Sequence, residues 1–155
     1  MNEQKLDPDL FTYIQSLLSI PKSDSVDTYN IRTACEIIRF IDEMPGGFLI
    51  YHADDQEKII YANKALLRIC QCDTLSEFRQ LTKNSFQGFV YPPDLAVVEQ
   101  SIKEQITASQ YDLDYVEYRI RRKDGQIRWI EDYGHFIHTD SIGDIFYVFI
   151  SDATE

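Results

Sequence analysis

Basic residues are in short supply in this chain: 15 Lys and Arg stand against 26 Asp and Glu, a formal net charge of −11 over 155 residues. Binding to nucleic acid rests on Lys and Arg neutralising phosphates, so no nucleic-acid partner is expected. The one basic run, Arg119, Arg121, Arg122 and Lys123, sits beside a turn and reads as a solvated hairpin tip. Cysteine is also sparse, and Cys35, Cys70 and Cys72 make an odd set without a disulfide framework. No apolar run reaches the roughly 18 residues that cross a bilayer. The segment Met1 to Pro8 holds acidic residues where an export signal has an apolar core. A cytoplasmic, reducing location with no membrane segment in this chain is the resulting expectation.

Signatures of catalysis are missing too. The histidines are His52, His135 and His138. The last two lie three apart on an expected strand, so they face opposite ways and do not share a metal. There is no phosphate-cradling Gly-rich loop and no Gly-x-Ser-x-Gly elbow. Gly46-Gly47 runs into Phe48-Leu49 rather than into the acidic loop of a nucleotide cyclase. The acidic pairs Asp54-Asp55 and Glu131-Asp132 raise acid–base chemistry, but a turn and the two faces of a strand account for them. No enzyme activity and no metal are expected.

What the chain does have is aromatic mass: ten Tyr and nine Phe, with hydrophobic residues at 44%. That composition favours a folded core containing strands. A chain of this length buries about 68–70% of its unfolded surface and needs no staple. Asp7-Pro8 opens a first helix carrying Leu10, Phe11, Ile14, Leu17 and Leu18, and Pro21 stops it. A polar linker covers Lys22 to Asp27. A second helix from about Thr28 to Glu43 presents one narrow seam, Ile31, Ala34, Ile38 and Ile41. That seam suits either a partner helix or a sheet face. Met44-Pro45-Gly46-Gly47 then breaks the helix and divides an N-terminal helical segment, residues 1–44, from a domain at 45–155.

Beyond the break the period falls from 3.6 to 2. Strands are predicted at Phe48–Ala53 and Lys58–Ala62, with Asn63 capping a brief helix. Short elements fill Leu75 to Tyr91, and Pro92-Pro93-Asp94 opens a longer helix with Leu95, Val98, Ile102 and Ile106 on one face. Strands follow at Tyr111–Arg122, Ile127–His138 and Asp144–Ser151. Asp124-Gly125 signals a two-residue hairpin turn, and the phase of the first of these strands slips near Tyr115-Val116, where a bulge is expected. The order gives an α+β fold, a five-stranded antiparallel sheet with helices on one face, preceded by the helical segment.

Three stretches in this order resemble the PAS family over Met44 to Glu155. Ile60-Tyr61-Ala62-Asn63-Lys64-Ala65-Leu66 is similar to the end of the second PAS strand and the Asn opening the first short helix. Tyr118-Arg119-Ile120-Arg121-Arg122-Lys123-Asp124-Gly125-Gln126-Ile127-Arg128-Trp129-Ile130 resembles the hairpin of the third and fourth strands. Asp152-Ala153-Thr154-Glu155 is similar to the Asp-x-Thr exit toward a downstream effector. Tyr91-Pro92-Pro93-Asp94-Leu95 resembles the opening of the long PAS helix, where many members carry His at the place of Tyr91.

The resemblance implies a non-catalytic sensory module of a bacterial signalling protein. Such a module binds a small molecule or mediates a homodimer, and it regulates a C-terminal effector such as a diguanylate cyclase or a histidine kinase. The signal exit is then Asp152 and Thr154. Pocket candidates, read from strand and helix faces, are Ile60, Leu66, Phe86, Val90, Ile120 and Val148, with Asn63 as a structural cap. The alternative is a constitutive dimerisation module with a filled core, joined through Ile31, Ala34, Ile38 and Ile41. No cofactor is evident. Haem-binding members carry a His on the long helix, and Pro93 to Thr107 has none; Cys70-Gln71-Cys72 stands outside the Asn-Cys-Arg-Phe context of photoreactive flavin sites. An unknown small molecule remains the ligand to be sought. The aromatics Phe48, Tyr61, Phe86, Phe89, Tyr118, Trp129, Tyr133, Phe146 and Phe149 either ring a pocket or fill it.

Overall fold

A two-residue burial rhythm governs the last third of the chain. In the computed structural model, which describes residues 28–153 together with Leu10 and Ile14, strand β3 (Leu113–Arg121) buries Asp114, Val116, Tyr118 and Ile120 and turns the residues between them outward. β4 (Ile127–Thr139) pairs with it antiparallel and without interruption from Leu113↔His135 to Arg121↔Ile127. The slip expected at Tyr115-Val116 does not occur. The apolar residues change phase there, Leu113 and Tyr115 against Val116 and Tyr118, but Leu113 and Tyr115 face outward, Asp114 is interior and the alternation is intact.

The other strands are β1 (Gly47–His52), β2 (Ile59–Ala62) and β5 (Gly143–Asp152). All five form one sheet in the order β2-β1-β5-β4-β3. The irregularity sits at the β1–β2 pair, between Ile50↔Tyr61 and Tyr51↔Ile59. Ile60 is the extra residue there, and such a residue is left out of the ladder and re-aims its neighbours.

The crossover from β2 to β3 carries α2 (Lys64–Ile69), α3 (Leu75–Leu81), α4 (Phe86–Phe89), a 3₁₀ turn (Pro92–Asp94) and α5 (Leu95–Ala108). Their caps follow the sequence closely. Asn63, Thr74 and Ser85 each accept a bond from a backbone N–H of the first turn. These helices cover one face of the sheet, where Leu49, Leu66, Phe78, Phe86, Tyr118, Ile120, Ile130, Val148 and Ile150 form the main core. The β3–β4 hairpin tip docks on the same layer: Lys123 N donates to Cys70 O at 3.0 Å, and its ammonium lies 3.0 Å from Glu77. The tip is longer than the two-residue turn predicted. Arg122 N donates to Gln126 O, and only Gly125 there takes a positive φ, +85°.

Helix α1 (Thr28–Asp42) lies on the opposite face. Ala34 and Ile38 pack with Leu10, Ile14, Ile50, Ile60 and Ile145 in a second, smaller core. The seam at Ala34 and Ile38 therefore meets the chain's own sheet. Ile41 is half-buried, and the side chain of Ile31 lies outside the described residues. Asp42 at the end of α1 accepts a bond from the Tyr61 hydroxyl at 2.7 Å, fastening the helix to β2.

Both edges of the sheet are occupied by side chains from the helices. On β2, Arg79 of α3 donates to the carbonyls of Ile59 (2.7 Å) and Ile60 (3.0 Å). On β3, the Gln105 amide of α5 bonds both backbone groups of Tyr115, donating to its C=O and accepting from its N–H at 2.8 Å each. Unpaired strand edges invite pairing with other chains, and covering them is a common remedy.

Candidate functional site

Between α5 and the sheet the packing leaves a cavity of about 290 Å³, partly open to solvent. Its floor comes from inner-face side chains of three adjacent strands: Tyr51 on β1, Phe146 on β5 and Phe136 on β4. Phe86 closes one side and is stacked on Tyr51 with ring centroids 4.4 Å apart. Ile102 and Ile106 of α5 supply the apolar roof. Ligand sites are mostly apolar with a few placed polar groups, and here the polar groups are strongly biased toward acids.

Glu57 and Glu99 both line the cavity and lie within hydrogen-bonding reach of each other. Burial, reinforced by Glu99, pushes the Glu57 carboxyl up to about 8. Glu57 is held in the left-handed region, φ 49°, by Asp54, whose Oδ1 accepts from its N–H at 2.9 Å. That conformation is uncommon for a residue with a Cβ.

Two further carboxyls are sealed into the same side of the sheet. Asp132 on β4 is 1% exposed and accepts a bond from the Tyr118 hydroxyl at 2.5 Å through Oδ2, while its Oδ1 has no partner. Burial raises Asp132 to about 8, offset in part by Tyr118 and reinforced by Asp114. Asp114 is 5% exposed, neither of its oxygens has a partner, and burial raises it to about 6. Its carboxyl occupies the space above Gly134, where an added Cβ would come within 2.3 Å of Oδ2. Gly134 is the inner-face neighbour of the cavity wall Phe136 along β4.

Asn63 joins three elements at a distance from the cavity. Its Oδ1 accepts from Leu66 N (3.0 Å) and Phe48 N (2.8 Å), and its Nδ2 donates to Ile41 O (2.9 Å) and Gly46 O (3.1 Å). It is fully buried with all of these bonds made, so its role is structural.

The fold has counterparts among known proteins. A sequence profile of the family described as PAS fold matches residues 59–149, more than half of the chain. The chain belongs to the PAS family. It is thereby placed among the sensory domains of signalling proteins, a family generally without catalysis of its own. No curated protein matches it in sequence. Among solved structures it is similar to a PAS domain from a two-component sensor histidine kinase, with 16% identity and a TM-score of 0.61 over 79% of this chain and 97% of that one. The PAS domain of an HTR-like protein from Haloarcula marismortui has 16% identity and a TM-score of 0.60 over 79% of this chain and 93% of that one. A LOV protein from Rhodobacter sphaeroides has 14% identity and a TM-score of 0.60 over 79% of this chain and 68% of that one. At such identities the likeness is one of fold.

Of the pocket residues read from the sequence of this PAS domain, Phe86 alone lines the cavity. Leu66, Val90, Ile120 and Val148 are buried in the main core, filled by neighbours. Ile60 is a correction: the β1–β2 bulge turns it to the outer face, into the smaller core. The aromatics divide likewise. Phe86, Phe89, Tyr118 and Phe146 belong to the helix-covered side, whereas Phe48 and Tyr61 pack with the smaller core, and Trp129, Tyr133 and Phe149 are exposed.

The Glu131-Asp132 pair, read from the sequence as two faces of a strand, is just that, but its inner member is a sealed carboxyl with a tyrosine partner. Sequence reasoning did not find Asp114 or Glu99. Cys70 is buried and its thiol is pushed up by desolvation, which leaves little thiolate for redox chemistry. Asp152 ends β5, exposed, and Thr154 lies outside the described residues. No helix among the described residues is long and apolar enough to cross a membrane.

Proposed function

We propose that residues 45–155 are a ligand-binding sensory module of a cytoplasmic bacterial signalling protein, with residues 1–44 as its helical cap. Occupancy of the α5 cavity biases a C-terminal effector, a diguanylate cyclase or a histidine kinase, through Asp152 and Thr154. The observation that carries this reading is the cavity itself, aromatic-floored and acid-lined within an otherwise well-filled core. Phe146 of the cavity floor and Asp152 at the exit lie on one strand. A shift of that strand therefore connects the two, as a change in the populations of two arrangements.

Native mass spectrometry of the purified protein, compared with its denatured mass, tests the reading. An extra mass lost on denaturation is the expected result. In the full-length protein, substituting Asp152 or Thr154 is expected to alter effector output while this domain stays folded. Unchanged output in both variants would sink the coupling.

A second reading, a constitutive homodimer, draws on the exposed outer-face aromatics Tyr115, Trp129, Tyr133 and Phe149, which are 38–50% exposed. A clean dimer with no added mass in the same spectrum would favour it over a ligand sensor.

A further inference from the structure

Buried polar atoms are ordinarily paired, and those that are not ask for a partner. Among the described residues the unpaired buried side-chain atoms include Glu99 Oε1, both oxygens of Asp114 and Asp132 Oδ1. All are carboxyl oxygens on the helix-covered side of the sheet. Glu57 and Glu99 line the cavity, whereas Asp114 and Asp132 do not line it; the hydroxyl of the floor residue Tyr51 is pushed up first by burial and then by Asp132, Glu57, Asp114 and Glu99. Asp54 adds a third acidic side chain to the cavity lining. Lys103 of α5 lines the same cavity, but it is exposed at the rim, and no ion pair joins it to a carboxyl among the described residues.

At neutral pH Glu57 and Asp132, raised to about 8 by burial, largely hold their protons, and a positive charge arriving from outside the chain would favour the ionised form of Glu57. A bare metal ion is a poor match, because no His, Cys, Asp and Glu group among the described residues has the arrangement to hold one. The walls are also the wrong chemistry for a hydrated ion: Tyr51, Phe86, Phe136, Phe146, Ile102 and Ile106 are aromatic or aliphatic. Aromatic faces attract organic cations, more so when water is excluded. At ~30 Å³ for each water-sized group, the cavity of about 290 Å³ takes an occupant of roughly ten non-hydrogen atoms.

We propose that this cavity recognises a small protonated primary amine with an apolar body. Its ammonium group bonds the Glu57–Glu99 pair, its body lies on the aromatic floor, and Asp114 supplies further negative potential from the interior. The inference rests on the sensory-pocket reading and names the ligand class for it.

Isothermal titration calorimetry on the whole chain at neutral pH separates the possibilities with three probes of one shape: 2-phenylethylamine, neutral 2-phenylethanol and anionic 3-phenylpropanoate. The amine is expected to bind at least about tenfold more tightly than the alcohol, ~1.4 kcal/mol, and the acid not to bind. Glu99→Gln is expected to erase most of that preference, and Asp114→Asn to reduce it. Both remove a charge at constant shape, so two independent variants guard against one misfolding.

Equal binding of amine and alcohol would overturn cation recognition and leave the sensory pocket standing. Amine binding that both variants retain in full would place the amine elsewhere and overturn the assignment. No binding of the amine also overturns it, and the native mass spectrum then decides separately whether the pocket carries anything.

Discussion

The Tyr118 hydroxyl donates to Oδ2 of Asp132 across the β3–β4 pair at 2.5 Å, with both residues sealed beneath the helical layer. A lone carboxyl at that depth is expensive to ionise, and the tyrosine is its one hydrogen-bond donor among the described residues. Tyr118→Phe is expected to destabilise the domain by about 1–3 kcal/mol, because it strands the acceptor without filling its place. Asp132→Asn is expected to do the reverse near pH 8. It keeps a carbonyl for Tyr118 and removes the charge. Chemical denaturation of the two variants beside the parent measures both; a stabilised Tyr118→Phe would contradict the role assigned to the bond.

Stability should depend on pH in a direction opposite to ordinary acid denaturation. Asp132 and Glu57 are raised to about 8 and Asp114 to about 6. Between the unfolded carboxylate range near 4 and these values the folded state holds more protons than the unfolded chain. Unfolding free energy therefore falls as pH rises through that window. His138, raised by Asp144, adds a small effect of the same sign. Asp94 and Asp124 are lowered by Arg119 and Arg122; their contribution is complete above the unfolded carboxylate range and lost only in stronger acid. The expected drop from about pH 5 to about pH 8 is at least ~1 kcal/mol, read from urea midpoints. The double variant Asp132→Asn, Glu57→Gln should flatten it.

Gly134 has no side chain because Asp114 occupies the space, with Oδ2 2.3 Å from where a Cβ would sit. Gly134→Ala is expected to cost roughly 1–3 kcal/mol through overpacking. Adding Asp114→Ala should recover much of that loss, giving a double-mutant coupling well outside additivity. Strictly additive effects would mean that the two positions do not compete for one volume.

Asn63 is where a single amide holds α1, β1 and α2 together through four bonds. Asn63→Ala is expected to cost more than the ~1 kcal/mol typical of a cap, about 2–4 kcal/mol, since half-buried backbone groups of Phe48, Ile41 and Gly46 lose partners as well. Thermal unfolding checks the size of the effect. Asn63→Asp keeps the acceptor but not the donors, and should fall between the two.

Much of the architecture was legible because local signals agreed with the global fold. The cap at Asn63 and the helix break at Met44-Pro45-Gly46-Gly47 sit where side-chain chemistry alone places them, whereas the caps at Thr74 and Ser85 emerged only in the structure. The site was far less legible. Period-2 reasoning assumes that interior means apolar, so the outward Leu113 and Tyr115 read as a slip in phase and Asp114 between them went unread as a buried acid. Asp132 was visible as a strand residue but not as a sealed one, although the alternation of Val116, Tyr118, Ile120 and Ile130 about these acids carried that signal. Ile60 was misplaced because one extra residue in β2 breaks the alternation of faces along the strand, and no short-range pattern announces it. Glu57 and Glu99 are distant in sequence, and only the crossover brings them together.

The Gln105 amide bears on more than the border of the sheet. Gln105 belongs to α5, whose Ile102 and Ile106 roof the cavity, and it occupies the backbone groups of Tyr115 on the outermost strand. The helix that an occupant must push against is thus also the shield of that strand. An occupant larger than the cavity would have to displace α5, and the Gln105 amide with it, which would uncover the N–H and C=O of Tyr115. Filling the pocket beyond its resting size would in that way become a newly adhesive border, on the opposite edge of the sheet from Asp42.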